Sequence, residues 1–187
     1  MSKLDNIHGK TITIQPFINP VHPTPYHFTD DGAIPNNPSL PLLVYPSVLR
    51  LTGSDPASIA EQVFGANGWG DSWRNGIYPF PHYHSTAHEV LAICGGQAQV
   101  RFGGDQGVVL AVHAGDVVVI PAGVGHQNLG ASADLLVVGA YPPKQPVDLC
   151  YGKAGERPQV LTNITQVPLP ITDPVYGKAG PLLAIWQ

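Results

Sequence analysis

Residues 76–96 read GIYPFPHYHSTAHEVLAICGG, and the fold turns on how His82, His84 and Glu89 sit within them. Side chains two apart on a strand leave from the same face, so His82 and His84 project together, near enough to hold one ion. The step from His84 to Glu89 is odd, and a single straight strand would send Glu89 to the wrong face. Ser85, Thr86 and Ala87 supply the break: the chain turns there and returns over 88–94 as a strand with Glu89 facing the same interior. A second stretch, GDVVVIPAGVGH at 115–126, supplies a fourth donor. Its residues 117–120 read as a strand and Pro121-Ala122-Gly123 as the turn, and His126 opens the strand that follows. Gly95-Gly96, Gly103-Gly104 and Gly115 fall between alternating apolar runs, where tight hairpins call for positive φ. Three imidazoles and a carboxylate suit a divalent transition metal, with iron, manganese, nickel, zinc and copper all compatible. A metal with open positions can do chemistry.

The two stretches resemble the paired signature of the cupin superfamily. The first matches through Gly76, His82, His84, Glu89 and Gly96, and the second through Gly115, Pro121, Gly123 and His126. The resemblance implies an all-β fold, the double-stranded β-helix or RmlC-like jelly-roll barrel. The family's asparagine four residues after the second-motif histidine is Gly130 here, while Asn128 lies two residues after His126. Strand parity turns Asn128 towards the same side as His126, as a pocket polar group in the missing residue's place, and turns Gln127 away. The segments at 82–89, 121–126 and 173–178 look like those of the YjlB-like group of bacterial single-domain cupins, a likeness that spans most of the chain.

The 187 residues suffice for one domain with a sizeable core. We expect an N-terminal arm with a short helix over 1–70, the barrel core with both motifs over 71–145, and a C-terminal arm over 146–187. Only 12% of residues are charged, whereas 43% are hydrophobic and lie in short alternating runs between frequent glycines and prolines, the pattern of a β protein. A net charge of −4 with no basic stripe argues against nucleic-acid or anionic-membrane partners. The first ten residues lack the apolar run of a secretory signal, and no stretch approaches a membrane span. Cys94 and Cys150 form no framework pattern and read as reduced thiols of a cytoplasmic protein.

Thr11 to Gln15 alternates and reads as a first, edge strand. The proline-rich segment from Pro16 to Pro41 reads as extended chain laid over other surfaces, and 42–51 as a further strand interrupted at Pro46. One helix follows, capped by Ser54 or Asp55, with Pro56 in its first turn, Ile59, Val63 and Phe64 on one face, and Gly65 or Gly68 at its end. Short strands then recur at about 73–78, 82–84, 88–94, 97–102, 107–112, 117–120, 125–129 and 134–141, the rhythm of a sandwich or barrel. YGKAG occurs at 151–155 and again at 176–180, read as two similar turns. The long arms are expected to wrap the barrel or a partner subunit, which points to a homodimer.

Among the remaining polar residues, His88 should face away from Glu89, and His8, His22, His27 and His113 should be solvated. Cys94, on the face opposite Glu89, reads as a core thiol. Trp69, Trp73, Tyr83 and Tyr141 read as packing residues, while Tyr78 shares parity with His82 and is a candidate for the pocket. Arg74 and Arg101 read as surface ion-pair partners. Three imidazoles and one carboxylate leave a divalent ion a residual charge of about +1, which favours anionic oxygen donors. The leading expectation is a metal-dependent enzyme, oxygenase or isomerase, acting on a small oxygen-rich organic molecule. Glu61 and Glu156 lie outside the motifs and offer no second catalytic carboxylate. The alternative is a non-catalytic protein that binds or senses a small ligand.

Overall fold

The computed structural model describes residues 13–187. Nine strands form two antiparallel sheets: β1 (Thr24–Tyr26), β2 (Leu42–Tyr45), β3 (Gly70–Asn75), β4 (Glu89–Gly95), β5 (Gln97–Phe102), β6 (Val108–His113), β7 (Val117–Ile120), β8 (His126–Ala131) and β9 (Leu136–Tyr141). The first sheet runs β1-β2-β7-β4-β9-β3 and the second β6-β5-β8. Two isolated antiparallel bridges, His82 with His126 and Tyr83 with Cys150, carry the second sheet onward past β8. Segment 82–84 therefore adds to the barrel through bridges rather than as the full strand expected. The result is the all-β jelly roll.

Period-two alternation splits the large sheet into two buried faces. Leu42, Leu91, Ile93, Val118, Ile120 and Val137 point into the barrel and meet Val100, Phe102 and Val112 of the small sheet. The alternate residues Leu43, Tyr45, Val90, Ala92, Cys94, Val117, Val119 and Val138 point outward, under a second core. Burial on both faces explains why β4 and β7 read as unbroken apolar runs. Helix α1 (Pro56–Ala66) covers the outer face with Ala57, Ile59, Ala60, Val63 and Phe64. Its N-cap is Asp55, whose side chain accepts from the Ser58 N–H.

Several expectations change. Thr11 and Ile12 lie outside the described residues, and Gln15–Phe17 is a 3-10 turn rather than strand. The proline-rich segment contributes β1, with Pro25 on the sheet edge, where its missing N–H costs no ladder bond. One helix was expected, and the C-terminal arm adds two, α2 (Gln159–Gln166) and α3 (Leu182–Ile185). Val160 and Ile164, four apart, are the buried stripe of α2, a pattern hidden among flanking prolines. The arm also sends Val175, Leu182 and Trp186 into the outer core, and the Trp186 indole donates to the Pro41 carbonyl at 2.9 Å. Both YGKAG segments place their first glycine at positive φ, +76° at Gly152 and +65° at Gly177, so they are alike at that residue. Among the described residues the arms pack on their own barrel.

Candidate metal centre

His82 and His126 face each other across the antiparallel bridge, joined by reciprocal backbone hydrogen bonds of 3.2 and 2.9 Å, and their ring centroids are 4.0 Å apart. His84, two residues on, has its carbonyl held by the Gly123 N–H at 2.8 Å. That bond ties the turn of the second motif to the first, and Gly123 takes φ +92° to make the turn. One nitrogen from each of His82, His84 and His126 lies within 4.8 Å of the others, a group that could hold a metal ion. Glu89 opens β4 beside them: its Oε2 is 3.2 Å from His126 Nε2 and 3.5 Å from His84 Nε2. All four side chains are buried or nearly so.

The hydrogen bonds aim these donors. The Nδ1 of His82 lies 3.1 Å from the Phe80 carbonyl, that of His126 lies 3.4 Å from the Val124 carbonyl, and that of His84 contacts the Asp148 carbonyl. A carbonyl only accepts, so each Nδ1 carries the proton and each Nε2 keeps a lone pair for the site. Glu89 Oε1 accepts from the Tyr141 hydroxyl at 2.8 Å, and that hydroxyl in turn accepts from the Trp73 indole at 2.9 Å. Glu89 Oε2 is buried and receives no hydrogen bond. With all three rings neutral, lone pairs of nitrogen and oxygen approach one another with no proton between them, which is unfavourable unless a cation sits among them. The donor set fits a divalent transition metal on this ground.

Without an ion, positive charge gathered on the rings takes the cation's place beside Glu89. Burial works to raise the Glu89 carboxyl, but His84 and His126 outweigh it and hold it below the usual carboxylate range. Burial also works against charge on His84, yet Glu89 prevails and the imidazole pKa rises. Burial, reinforced by His126, pushes His82 down to about 3, so this ring stays neutral.

A cavity of about 400 Å³ opens over the cluster, with His82, His84, Glu89 and His126 in its wall. Tyr78 stands at this cavity, 47% exposed and edge-on to His82 with centroids 5.2 Å apart. Asn128 does not line the cavity. The register from His126 to Asn128 is regular, so the parity holds, but the Asn128 Oδ1 accepts from the Gly130 N–H at 2.9 Å, across the bulge that follows at Leu129. His88 faces away from Glu89 as expected, but it is buried rather than exposed, packed beside Trp186. Glu156 accepts from the Tyr83 hydroxyl and Glu61 pairs with Arg74, both away from the cluster. Arg101 pairs with Asp105.

Sequence reasoning passed over two contributors, Tyr141 and Asp148. Tyr141 ends an apolar strand and reads as packing. Asp148 is a single acid in a proline-rich arm, yet its carboxylate accepts from the backbone N–H groups of Ser85 at 2.7 Å and Thr86 at 3.3 Å. Those bonds fix the turn between His84 and Glu89, while its carbonyl orients His84.

The Cupin family model matches residues 69–145. The chain is 45% identical to protein YjlB of Bacillus subtilis (strain 168) over 161 residues, which covers 86% of this chain and 94% of that protein. Among solved structures, RmlC from Streptococcus suis in complex with dTDP-D-xylose aligns over 91% of this chain and 95% of its own, at 12% identity and a TM-score of 0.38. Acireductone dioxygenase from Bacillus anthracis, with cadmium in its active centre, aligns over 48% of this chain and 60% of its own, at 14% identity and a TM-score of 0.36.

Proposed function

We propose, from the premise that this chain belongs to the cupin family and its YjlB-like group, that it is a metal-dependent enzyme of oxygenase or isomerase type acting on a small molecule with oxygen donors. The observation that carries this reading is the unpartnered, buried Oε2 of Glu89, set among imidazole nitrogens at the wall of an open cavity. The Nε2 atoms of His82, His84 and His126 with Glu89 Oε2 would hold the ion. A divalent ion there supplies Lewis acidity towards a carbonyl or enolate oxygen and, if it is redox-active, electron transfer. The protein's own part is to keep the three imidazoles in one tautomer, to keep Glu89 ionised, and to exclude bulk water with the barrel interior.

Other groups that move protons are scarce around the cavity. The Asp148 carboxylate is engaged by Ser85 and Thr86. Burial and the adjacent Glu89 carboxylate push the Tyr141 hydroxyl well above the usual tyrosine range. This scarcity favours chemistry centred on the ion over mechanisms that need a separate acid and base. It is also what supports the second reading, a non-catalytic protein that binds or senses a small ligand. The free thiols of Cys94 and Cys150, both pushed up to about 12 with burial the largest cause, suit a reducing compartment such as the cytoplasm. Oxygen uptake or turnover with a panel of small hydroxy and keto acids, abolished in Glu89→Ala, is the expected result for an enzyme. Binding of such compounds to the metal-loaded protein without turnover would favour the second reading.

A further inference from the structure

The walls of the cavity restrict what it can take. Besides the ligand cluster, the cavity is lined by Ile77, Tyr78 and Leu91 and, from the C-terminal arm, by Val147 and Leu149. Tyr78, Val147 and Leu149 are 47%, 44% and 38% exposed, a high exposure for large apolar side chains. The surface continues outward through Phe80, stacked on Tyr78 with centroids 4.7 Å apart, to Tyr151, 5.8 Å from Phe80. Apolar surface gathered at the mouth of a polar-floored cavity marks a ligand site.

The charges around the cavity point the same way. Arg74 lines it, but its guanidinium is held by Asp55 at 2.9 Å and Glu61 at 2.7 Å, so among the described lining residues no free cation is left for a second anionic group. Asp148, another lining residue, turns its carboxylate to the N–H groups of Ser85 at 2.7 Å and Thr86 at 3.3 Å, with no cationic side chain paired to it among the described residues. Its negative charge disfavours a polyanion. Two of the polar groups that would greet a polyol are taken: Asn75 Oδ1 accepts from the Gly76 N–H, and the Tyr141 hydroxyl serves Glu89 and Trp73.

We infer that the ligand is a monoanionic oxygen chelator carrying an apolar, ring-sized body, of the aryl 2-hydroxy carboxylate class, with its body between Tyr78 and the Val147–Leu149 wall. The inference rests on the metal-centre reading, since the chelating head needs the ion. Three acids with the same 2-hydroxy carboxylate head test it: glycolate has no body, mandelate adds a phenyl ring, and gluconate adds a polyol chain. Zinc-loaded protein, its zinc content first measured by equilibrium dialysis, is titrated with each by ligand-observed NMR. Mandelate should bind at least about ten-fold more tightly than glycolate, from burial of the ring, and gluconate no more tightly than glycolate. A double variant, Tyr78→Ser with Leu149→Ser, should bring mandelate down to the level of glycolate. Equal Kd values for mandelate and glycolate, tightest binding by gluconate, or zinc-loaded protein that binds none of the three would overturn the inference and leave the metal centre standing. Failure to retain zinc in the dialysis would instead overturn the metal-centre reading and the inference with it.

Discussion

Glu89 has two oxygens with different surroundings: Oε1 accepts from Tyr141, and Oε2 faces His84 and His126 without a donor. Removing the Tyr141 hydroxyl frees the carboxylate to rotate, so Tyr141→Phe should weaken metal affinity by about 10- to 100-fold, read by competition with a chromogenic chelator. Unchanged affinity would show that the hydrogen bond positions nothing. The four proposed ligands were legible because strand parity and a three-residue break are local properties of the chain. Tyr141 was not, because it meets Glu89 through the β4–β9 pairing of segments 52 residues apart, which no local pattern specifies. His88 gives a pH prediction. Its Nδ1 accepts from the Ala122 N–H at 3.0 Å, and burial pushes its pKa down to about 4, against an ordinary value of 6.5. Between those values the unfolded chain takes up a proton here that the folded chain refuses. The contribution of neutral His88 is therefore whole above pH 6.5 and declines as pH falls towards 4, by at most about 3 kcal/mol. His82 acts in the same direction in metal-free protein. Melting temperatures of metal-free wild type and His88→Asn, which keeps an acceptor near the Nδ1 position, should differ in slope between pH 6.5 and 5, with the variant flatter. Parallel slopes would contradict the account.

Strand β9 shows how an element carries the site. Gly139 pairs with Trp73 of β3, and a Cβ at Gly139 would come within 2.2 Å of the indole ring. The glycine lets Trp73 lie across the sheet and donate to Tyr141. Gly139→Ala should displace the indole, cost about 1–3 kcal/mol in urea unfolding, and shift the tryptophan emission. Wild-type stability and spectrum in the variant would refute this close fit. The strands were readable from alternation and glycine turns, and α1 from its cap and proline. Proline content concealed β1 and α2: β1 accommodates Pro25 because it is an edge strand, and α2 starts just after Pro158. At β8 Asn128 keeps the parity of His126, yet its side chain turns back along the strand to the Gly130 N–H beside the bulge that follows, a local closure that a two-residue rhythm cannot announce.

For the whole molecule, the outer core joins the N-terminal segment, the large sheet, α1 and the C-terminal arm, with Trp186 near its end. Trp186→Ala should destabilise by about 3–5 kcal/mol in denaturant titration, leaving a void and freeing the Pro41 carbonyl. A loss below about 1 kcal/mol would mean that the arm is dispensable to the fold. The arm also brings Asp148 to His84, so folding of the chain's end and assembly of the centre are linked. The central claim, that three imidazoles and one carboxylate share a cation, is tested most directly by equilibrium dialysis against manganese, cobalt and zinc. Protein prepared without nickel affinity resin is compared with Glu89→Gln and His126→Gln. The account predicts about one ion per wild-type chain and a large loss of affinity in both variants. Wild-type protein that retains no ion, or variants that retain as much as wild type, would contradict it.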